Sequence, residues 1–405
     1  MSVLSDRRVL LAVSGGIAAY KAADLTSRLV QAGVRLDVLL TSGAEQFLRP
    51  LTFEALTRRP VHTNLWEPWT TGAAGHVTLA AEIEALVVAP ATANVIARLA
   101  LGLSDDLLGA VNLSTVAPLI VAPAMEDHMF HHPATQAHLT TLRERGAIIV
   151  GPESGRLASG AVGDGRLAPV EAIIGAIRTV LGRPSPGAPA APRIVVTAGG
   201  TQEPIDPVRS ITNRSSGRMG YAIARAALDR GARVTLITAP GERTPPFGAN
   251  VVRVTTAAEM LAAVDEATFH ADVLVMAAAV ADFRPVSKAT AKIKKWTLPA
   301  TTSIELEPTT DILTAIDRPG LIKVGFAAET ERLVEYASEK LRTKDLDLIV
   351  ANDAVQTIGS ESSAATLIGR DSGPDVMPAM PKDALAEIIV ERVWALMTSR
   401  RSAGT

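Results

Sequence analysis

The chain has 405 residues, with 40 lysines and arginines against 42 aspartates and glutamates, a formal net charge of −2. This balance argues against partners such as nucleic acid or a membrane surface, and the absence of cysteine excludes disulfides, thiolate nucleophiles and cysteine-bound metals. Hydrophobic residues make up 47% of the chain, enough for sizeable cores, and at roughly 150 residues per domain the length predicts two or three domains. The first apolar run is too short for a signal peptide, so we expect a cytoplasmic protein.

A proline-rich segment divides the chain. Residues 183–192 contain four prolines and no hydrophobic periodicity, which is typical of a semi-rigid linker. We therefore predict an N-terminal domain at 1–182 and a C-terminal domain at 193–405, joined by this linker.

The first half begins with a strand, a glycine turn and a helix. Val9–Val13 is predicted to be a buried strand, Ser14-Gly15-Gly16 the turn, and Ala18–Gln31 an amphipathic helix. A second helix is predicted at 95–103, and further strands at 34–40, 85–89, 119–122 and 147–150. The uncharged stretch from Leu107 to Met125 is interpreted as buried strand and loops.

The second half begins in the same way. The predicted strand 194–197 leads into Gly199-Gly200, and a helix is predicted near Gly217–Asp229, with Ser215 or Ser216 as its cap. Further strands are predicted at 234–238, 251–254, 273–277, 323–326 and 348–350. Apolar strands that alternate with helices indicate parallel sheets covered on both faces, so both halves are predicted to be doubly wound, Rossmann-like α/β domains. Such folds bind nucleotides beside the first strand, although neither glycine turn has a complete dinucleotide or P-loop motif.

Three segments of the first half carry candidate functional groups. Residues 90–94 (PATAN) lie between a strand and a helix, where backbone N–H groups can hold an anion, although Thr92 or Asn94 can equally act as a helix cap. Residues 123–129 (PAMEDHM) place methionines and charged side chains at the end of a strand, which is typical of residues that line a ligand-binding site. His76 follows a glycine-rich segment.

A zinc site is an alternative for the first half, because His128, His131 and His132 are close in sequence. The adjacent pair His131-His132, which Pro133 follows, lacks the i, i+4 pattern of two ligands on one helix face. The sequence therefore does not favour zinc.

Cationic and amide side chains are concentrated in two places in the second half. One loop contains Asn213 with three arginines at 209, 214 and 218, a combination that favours an anion site. Eight of the nine lysines follow residue 287, and Lys340 and Lys344 share one helix face. That face is either exposed to solvent without further function or part of a binding site for a triphosphate. In the second case Asp282 would bind Mg²⁺.

The motifs of the two halves together resemble a known family. The first half is similar to flavin-dependent decarboxylases of cysteine-derived carboxylates through Pro90–Leu108, Ser14–Ile17, Gly75-His76 and Pro123–Met125. The second half adds the Asn213 loop, Ala278–Asp282, Lys292–Lys295, Asp311-Ile312, Gly325-Phe326, and Lys340 with Lys344. Over nearly its whole length the chain resembles the bifunctional phosphopantothenoylcysteine decarboxylase/phosphopantothenate–cysteine ligases of coenzyme A biosynthesis.

The resemblance implies an FMN-dependent decarboxylase with a flavodoxin-like fold in the first half. It assigns FMN binding to Gly15, Gly16, Ile17, Thr41, Thr92, Ala93, Asn94 and Ala124. It implies that the flavin oxidises the substrate thiol to a thioaldehyde, that decarboxylation follows, and that the electrons then return to the substrate. His76 matches the family's essential histidine, a residue type that exchanges protons near neutral pH. Met125, Ser154 and Gly155 are implied to contact the substrate.

Two positions depart from the family's pattern. Glu126 stands where the family usually has asparagine, and an ionised carboxylate there would repel the carboxylate of the substrate. Ser159 stands near the place of a cysteine that protonates an intermediate, and a hydroxyl is a much weaker acid. We therefore expect the decarboxylase fold with a proton relay that differs from the family's, and keep both residues as catalytic candidates.

The resemblance implies a ligase in the second half, with CTP bound by Ala278, Asp282, Lys292, Thr310, Asp311, Ile312, Leu313, Phe326, Lys340 and Lys344. It further implies that the carboxylate of 4′-phosphopantothenate attacks the α-phosphorus of CTP, which releases pyrophosphate and forms an acyl-cytidylate. The amine of L-cysteine would then displace CMP from that acyl-cytidylate. Lys292 would offset negative charge on the phosphoryl oxygens, and Asn213 would hold the acyl-cytidylate. Arg209 is a further substrate contact and Asp282 the Mg²⁺ ligand. The choice of CTP over ATP comes from the family alone.

Two alternatives stay open. The chain could act only as a ligase, with an inactive flavin half, or it could be a flavodoxin-like or dinucleotide-dependent oxidoreductase. The second alternative leaves the Lys292 and Asn213 segments unexplained. The resemblance also implies a large homo-oligomer, with trimer-based flavin domains and dimeric ligase domains.

Overall fold

The computed structural model describes residues 3–66, 75–183, 190–294, 303–329, 331–353 and 360–403. The chain forms two compact units, Met1–Arg183 and Pro184–Thr405. Most of the predicted linker at 183–192 lies outside the described residues. Within the described residues, no helix combines the length and the apolar character that a membrane span requires.

The first unit is built on a six-stranded parallel sheet with the order β3-β2-β1-β4-β5-β6. Its strands are β1 (Arg8–Val13), β2 (Arg35–Leu40), β3 (Val61–His62), β4 (Ala85–Ala91), β5 (Leu119–Pro123) and β6 (Ile148–Ile149). Without the two-residue edge strand β3, this is the 2-1-3-4-5 order of flavodoxin-like folds, as predicted. An antiparallel ribbon of β7 (Glu153–Arg156) and β8 (Val162–Arg166) lies outside the sheet.

Eight helices of the first unit are described: α1 (Tyr20–Gln31), α2 (Pro50–Thr57), α3 (Gly75–Glu82), α4 (Ala93–Leu101), α5 (Leu107–Ser114), α6 (Asp127–His131), α7 (Pro133–Glu144) and α8 (Val170–Leu181). Side-chain caps fix where several of them begin. The Thr92 hydroxyl accepts from the Val95 N–H at 3.5 Å to cap α4, one of the two caps that the sequence allowed. This helix ends before Gly102, whose φ of +71° is the left-handed conformation that glycine favours.

The interpretation of Leu107–Met125 as strand and loops was wrong in its first part. Residues Leu107–Ser114 form α5, which begins because the Asp106 carboxylate accepts from the Gly109 N–H at 2.7 Å. Leu107 to Val111 are all buried, so the segment shows no amphipathic periodicity that would have distinguished it from a strand.

The second unit contains an eight-stranded sheet with the order β13-β12-β9-β14-β17-β18-β19-β20. Six strands are parallel: β9 (Arg193–Ala198), β12 (Arg233–Thr238), β13 (Asn250–Arg253), β14 (Val273–Met276), β17 (Ile322–Glu329) and β18 (Leu348–Asp353). Their order matches the 3-2-1-4-5-6 pattern of Rossmann folds, which confirms the predicted fold class. Antiparallel strands β19 (Ser362–Gly369) and β20 (Asp375–Pro381) extend one edge, and the sequence did not predict them.

Two short antiparallel pairs lie outside this sheet: β10 (Gln202–Pro204) with β11 (Ser210–Thr212), and β15 (Phe283–Pro285) with β16 (Leu306–Pro308). The described helices are α9 (Arg218–Asp229), α10 (Ala257–Thr268), α11 (Ile312–Ala315), α12 (Leu333–Thr343) and α13 (Lys382–Ala403). Apolar clusters cover both faces of the sheet, one with α9 and α13 and the other with α10 to α12.

The beginning of α9 differs from the prediction. Gly217, with a φ of +68°, is the N-terminal cap, and neither Ser215 nor Ser216 caps the helix through its side chain. The Ser215 hydroxyl instead accepts from the Gly217 N–H at 3.3 Å, within the loop. Gly220 brings α9 against β9, because an added Cβ would lie 2.6 Å from the carbonyl oxygen of Thr197.

Candidate functional sites

The loops that follow four adjacent strands meet at the carboxyl edge of the first sheet. These loops follow β1, β2, β4 and β5. Together with the first residues of α4 they contain the residues predicted to bind FMN: Gly15, Gly16, Ile17, Thr41, Thr92, Ala93, Asn94 and Ala124. The Ser14 hydroxyl donates to the Pro90 carbonyl at 2.7 Å, and the Ala124 N–H donates to the Ala91 carbonyl at 3.0 Å. The strand order reverses between β1 and β4, the position at which doubly wound sheets bind ligands.

Two features of this edge fit the phosphate of FMN. Gly15 packs so closely on the next loop that an added Cβ would lie within 3.0 Å of three backbone atoms of Gly43. α4 begins at the same edge, and the N–H groups of its first turn favour an anion. The edge therefore combines a turn without side chains with hydrogen-bond donors, the combination that phosphate sites use.

Replacing Gly15 with alanine is expected to lower the FMN content of the purified protein, because the added methyl group collides with the Gly43 backbone. Overpacking of this kind typically costs about 1–3 kcal/mol of unfolding free energy. Flavin absorbance per chain and thermal unfolding measure the two effects. Gly241→Ala is the matched control, since its Cβ would meet no atom within 4 Å. Full flavin content and unchanged stability in Gly15→Ala would contradict this role for the close contact.

Glu126 is the N-terminal cap of α6. Its carboxylate accepts from the N–H groups of His128 at 2.8 Å and Met129 at 3.3 Å. A side-chain oxygen of asparagine, the residue that the family usually has here, can also accept such bonds. The chain thus uses Glu126 as a hydrogen-bond acceptor in the loop after β5.

The three histidines considered for zinc are not brought together as one group in the described part of the chain. His131 lies instead beside two carboxylates, with its Nε2 at 3.0 Å from Asp164 and 3.6 Å from Asp127. His132 accepts through Nδ1 from the Ala134 N–H at 3.2 Å and caps α7. The contact of His131 with Asp164 joins α6 to the β7–β8 ribbon.

The other candidates of the first half lie around the same ribbon or on α3. The Met125 N–H donates to the carbonyl of Gly165 on β8 at 3.0 Å. The ribbon also carries Ser154 and Gly155 on β7 and the exposed Ser159 in its turn. His76 is the second residue of α3 and is half-buried. The catalytic and substrate roles assigned to these residues stay predictions.

A cavity of about 620 Å³ opens at the carboxyl edge of the second sheet. Among the residues that line it are Asn213, Ala278, Asp282, Thr310, Asp311, Ile312, Leu313, Phe326, Lys340 and Lys344. They come from α12 and from segments that follow β9, β14 and β16, together with β17 itself. The strand order reverses between β9 and β14, so the cavity lies where doubly wound sheets hold nucleotides.

Hydrogen bonds between loops fix the wall around Asn213. The side-chain amide of Asn213 donates to the Val280 carbonyl at 2.9 Å, and the Ala279 N–H donates to the Gly199 carbonyl at 2.8 Å. The first turn of α9 lines the cavity next to Asn213. The amide of Asn213 is therefore held between the loops that follow β9 and β14.

Opposite charges are distributed along the other wall. Lys344 forms an ion pair with Asp311, and Lys340 donates through Nζ to the Phe326 carbonyl at 2.7 Å. Burial lowers the pKa of Lys340, and the nearby charge of Lys344 lowers it further. Burial alone would raise the pKa of Asp311, but hydrogen bonds from Lys344 and Thr314 hold that pKa below its usual range.

Arg209 and Lys292 do not line the cavity of their own chain. The guanidinium of Arg209 pairs with the buried carboxylate of Asp206 and also donates to the Ile293 carbonyl. Lys292 is exposed next to Ile293. The structure thus places Arg209 against Ile293, the residue that follows Lys292, and neither Arg209 nor Lys292 lines the cavity where the other predicted nucleotide contacts lie.

The sequence did not predict that Arg218 and Lys382 lie together in the wall of the cavity. Lys382, only 8% exposed, begins α13 and lines the cavity with Arg218. Burial lowers the pKa of Lys382, and the charges of Arg218 and Arg243 lower it further. The lysine at the start of the last apolar helix is the signal that could have indicated this group.

Comparison with known proteins identifies both halves. The flavoprotein family model matches residues 2–182, and the model of the DNA/pantothenate metabolism flavoprotein C-terminal domain matches residues 190–397.

Relatives resemble the whole chain. The coenzyme A biosynthesis bifunctional protein CoaBC of Vibrio cholerae is 42% identical over 412 residues, covering 98% of this chain and 100% of that protein. The protein of the same name from Bacillus subtilis is 41% identical, and the match covers 99% of this chain and 100% of that protein. The protein from Mycobacterium bovis is 42% identical, and the match covers 96% of each chain. These matches confirm the resemblance inferred from the motifs. The chain belongs to the family of bifunctional coenzyme A biosynthesis proteins.

Proposed function

We propose that the chain catalyses two consecutive steps of coenzyme A biosynthesis. The C-terminal unit ligates L-cysteine to 4′-phosphopantothenate with CTP, and the N-terminal unit decarboxylates the resulting 4′-phosphopantothenoylcysteine to 4′-phosphopantetheine with FMN. The observation that carries the proposal is the cavity of the second unit. There an anchored amide, two lysines and two carboxylates line one space at the reversal point of the sheet.

In the ligase step, the chain must hold a triphosphate and the carboxylate that attacks it. Lys340 and Lys344 lie on one wall and the first turn of α9 on another, so both offer positive charge to phosphates. Asp282 is exposed in the cavity, and one carboxylate is sufficient for Mg²⁺ when nucleotide phosphates supply further oxygens. Because Lys292 does not line the cavity of its own chain, we propose that it reaches the nucleotide bound by a second copy in the ligase dimer, where it would neutralise charge that develops on the α-phosphoryl group.

Replacing Asn213 with aspartate is expected to slow attack by the cysteine amine while sparing nucleotide activation. The new charge opposes the anionic acyl-cytidylate, and an ionised carboxylate cannot donate to the Val280 carbonyl. Acid-quenched reactions should then accumulate acyl-cytidylate. Asn213→Ala, which loses the same bond without adding charge, separates the two causes. Loss of pyrophosphate release in Asn213→Asp would assign Asn213 to the first half-reaction instead.

In the decarboxylase step, the loops after β1, β2, β4 and β5 would hold FMN. Bound FMN supplies the oxidation and re-reduction of the substrate carbon that bears the thiol. The chain's own part is to bind the substrate carboxylate and to move protons, for which His76 is the principal candidate. The ribbon that carries Ser154, Gly155 and Ser159 would cover the substrate, since Met125 and His131 connect it to the loop after β5.

Assembly into a homo-oligomer, trimeric through the flavin unit and dimeric through the ligase unit, is part of the proposal. Its support in the first unit is a group of large apolar side chains around the glycine turn and the loop after β2. Ile17 is 63% exposed, and Tyr20, Phe47 and Leu51 are exposed as well. Exposed apolar groups of this size favour a contact surface.

One reaction tests both activities. The purified protein is supplied with 4′-phosphopantothenate, cysteine, Mg²⁺ and either CTP or ATP, and the products are separated by mass. We expect 4′-phosphopantetheine with CTP. Accumulation of 4′-phosphopantothenoylcysteine without its decarboxylated product would instead support the ligase-only alternative. A requirement for ATP would reject CTP as the nucleotide.

A further inference from the structure

Asp206 is a buried carboxylate that lies outside the cavity. The residue is 2% exposed and its two oxygens accept five hydrogen bonds. Oδ1 accepts from the N–H groups of Val208 and Arg209, both at 2.8 Å. Oδ2 accepts from Nε and Nη2 of Arg209 at 3.0 and 2.6 Å, and from the Ile293 N–H at 3.2 Å. Because both oxygens are fully used, Asp206 has no room for a metal ion or a substrate proton.

The bonds of Asp206 belong to a set that joins two distant segments. Besides the bond from Ile293 to Asp206, the Arg209 Nη2 donates to the Ile293 carbonyl at 2.9 Å, and the Ala289 N–H donates to the Ile205 carbonyl at 3.0 Å. Both the N–H and the carbonyl of Ile293 are therefore held by the Asp206–Arg209 ion pair. The hydrogen bonds from Arg209 and Ile293 hold the pKa of Asp206 well below its usual range, so the pair stays charged.

Lys292 lies between these anchors. It follows Ala289 by three residues and directly precedes Ile293, so its backbone is fixed on both sides, while its side chain is exposed. To hold the lysine ammonium at one position, the chain must order both the side chain and its backbone, and each has an entropy cost. A backbone that is already fixed removes the second of these costs. Small misplacement of a catalytic group can reduce a rate about 100-fold.

We propose that Asp206 is a positioning residue for Lys292: together with Arg209 it anchors Ile293 and thereby sets the place from which the Lys292 ammonium reaches the phosphoryl group. The proposal rests on the ligase function proposed above. It also gives Arg209 a function in the structure that requires no contact with substrate, because its guanidinium is already paired with Asp206.

The test is a double-mutant cycle in the full-length protein. Asp206→Asn keeps the size of the side chain but removes its charge and one of its acceptor oxygens. We expect the ligase kcat to fall about 10- to 100-fold, with little change in the KM for CTP. In a Lys292→Gln background the same change should have no further effect, because the residue to be positioned is gone. Asp272→Asn is the matched control, since Asp272 accepts from the Arg193 N–H at the opposite edge of the sheet.

A second variant addresses the chance that Asp206→Asn fails to fold. Ile293→Pro leaves Asp206 intact and removes the N–H that donates to it, while its ring also fixes φ at 293 and restricts the backbone of Lys292. It should reduce kcat in the wild-type background but not beside Lys292→Gln. Effects that multiply in the double mutants would overturn the positioning role, since Asp206 would then act independently of Lys292. An unchanged rate in Lys292→Gln alone has a different meaning: it would reject the function proposed for Lys292 itself.

Discussion

Replacing Lys292 with glutamine is expected to reduce ligase turnover about 100- to 1000-fold while leaving FMN content and decarboxylation unchanged. The reason is electrostatic, because a neutral amide cannot offset the charge that develops on the phosphoryl oxygens, and losing one such donor typically has this cost. The decarboxylase is expected to be unaffected, since Lys292 lies in the second compact unit and the FMN loops lie in the first.

Pyrophosphate release from CTP measures the ligase, and carbon dioxide release from supplied 4′-phosphopantothenoylcysteine measures the decarboxylase. Lys288→Gln is the matched control. It removes the same charge as Lys292→Gln, and Lys288 is exposed in the same segment. Its ligase rate should stay close to that of the wild type. Ligase rates in Lys292→Gln within tenfold of the wild type would show that the stabilising charge lies elsewhere.

Apart from the two-residue strand β3, the sequence predicted the parallel strands of both sheets, because each is a short apolar run bounded by glycine, proline or polar residues. It failed where burial removed periodicity, as in α5, whose residues 107–111 are all buried. It also failed at the cap of α9, because Ser215 and Ser216 have the right chemistry, but the left-handed φ of Gly217 starts the helix. Propensity identifies candidate caps and cannot decide between neighbouring ones.

For the sites, motifs could group residues that follow different strands, and most of the predicted nucleotide contacts do line one cavity. Hydrogen bonds between residues that are far apart in the sequence could not be predicted from it. Asp206 and Ile293 are 87 residues apart, and no local pattern indicates that they bond. Arg209 is predicted from the sequence to contact the substrate, whereas the folded chain pairs its guanidinium with the carboxylate of Asp206, three residues away.

Replacing His76 with asparagine is expected to retain bound FMN yet reduce decarboxylation of 4′-phosphopantothenoylcysteine by about 100-fold or more, the effect typical of losing a positioned acid or base. An amide can hydrogen-bond but cannot exchange protons near neutral pH. His76 lies on α3 and is not one of the residues predicted to hold the flavin, so its loss should not empty the site. Flavin absorbance per chain is the control measurement.

Glu126 is the competing candidate for proton transfer, and the structure makes Glu126→Gln an informative partner variant. The glutamine carbonyl can accept the same bonds from His128 and Met129, so α6 should keep its cap. At most, the weakened cap costs about 1 kcal/mol of stability. The substitution therefore removes the negative charge and the exchangeable proton with little disturbance of the loop.

The decisive comparison is carbon dioxide release by His76→Asn and Glu126→Gln at matched FMN occupancy. We expect His76→Asn to be inactive and Glu126→Gln to be as active as the wild type or more so, because a neutral amide no longer repels the substrate carboxylate. The expectation follows from the use of the Glu126 carboxylate as a helix cap, a task that needs an acceptor and no proton. If His76→Asn stays active while Glu126→Gln is inactive, Glu126 transfers the proton. In that case the proton-transfer residue of this chain lies in the loop after β5 and not on α3.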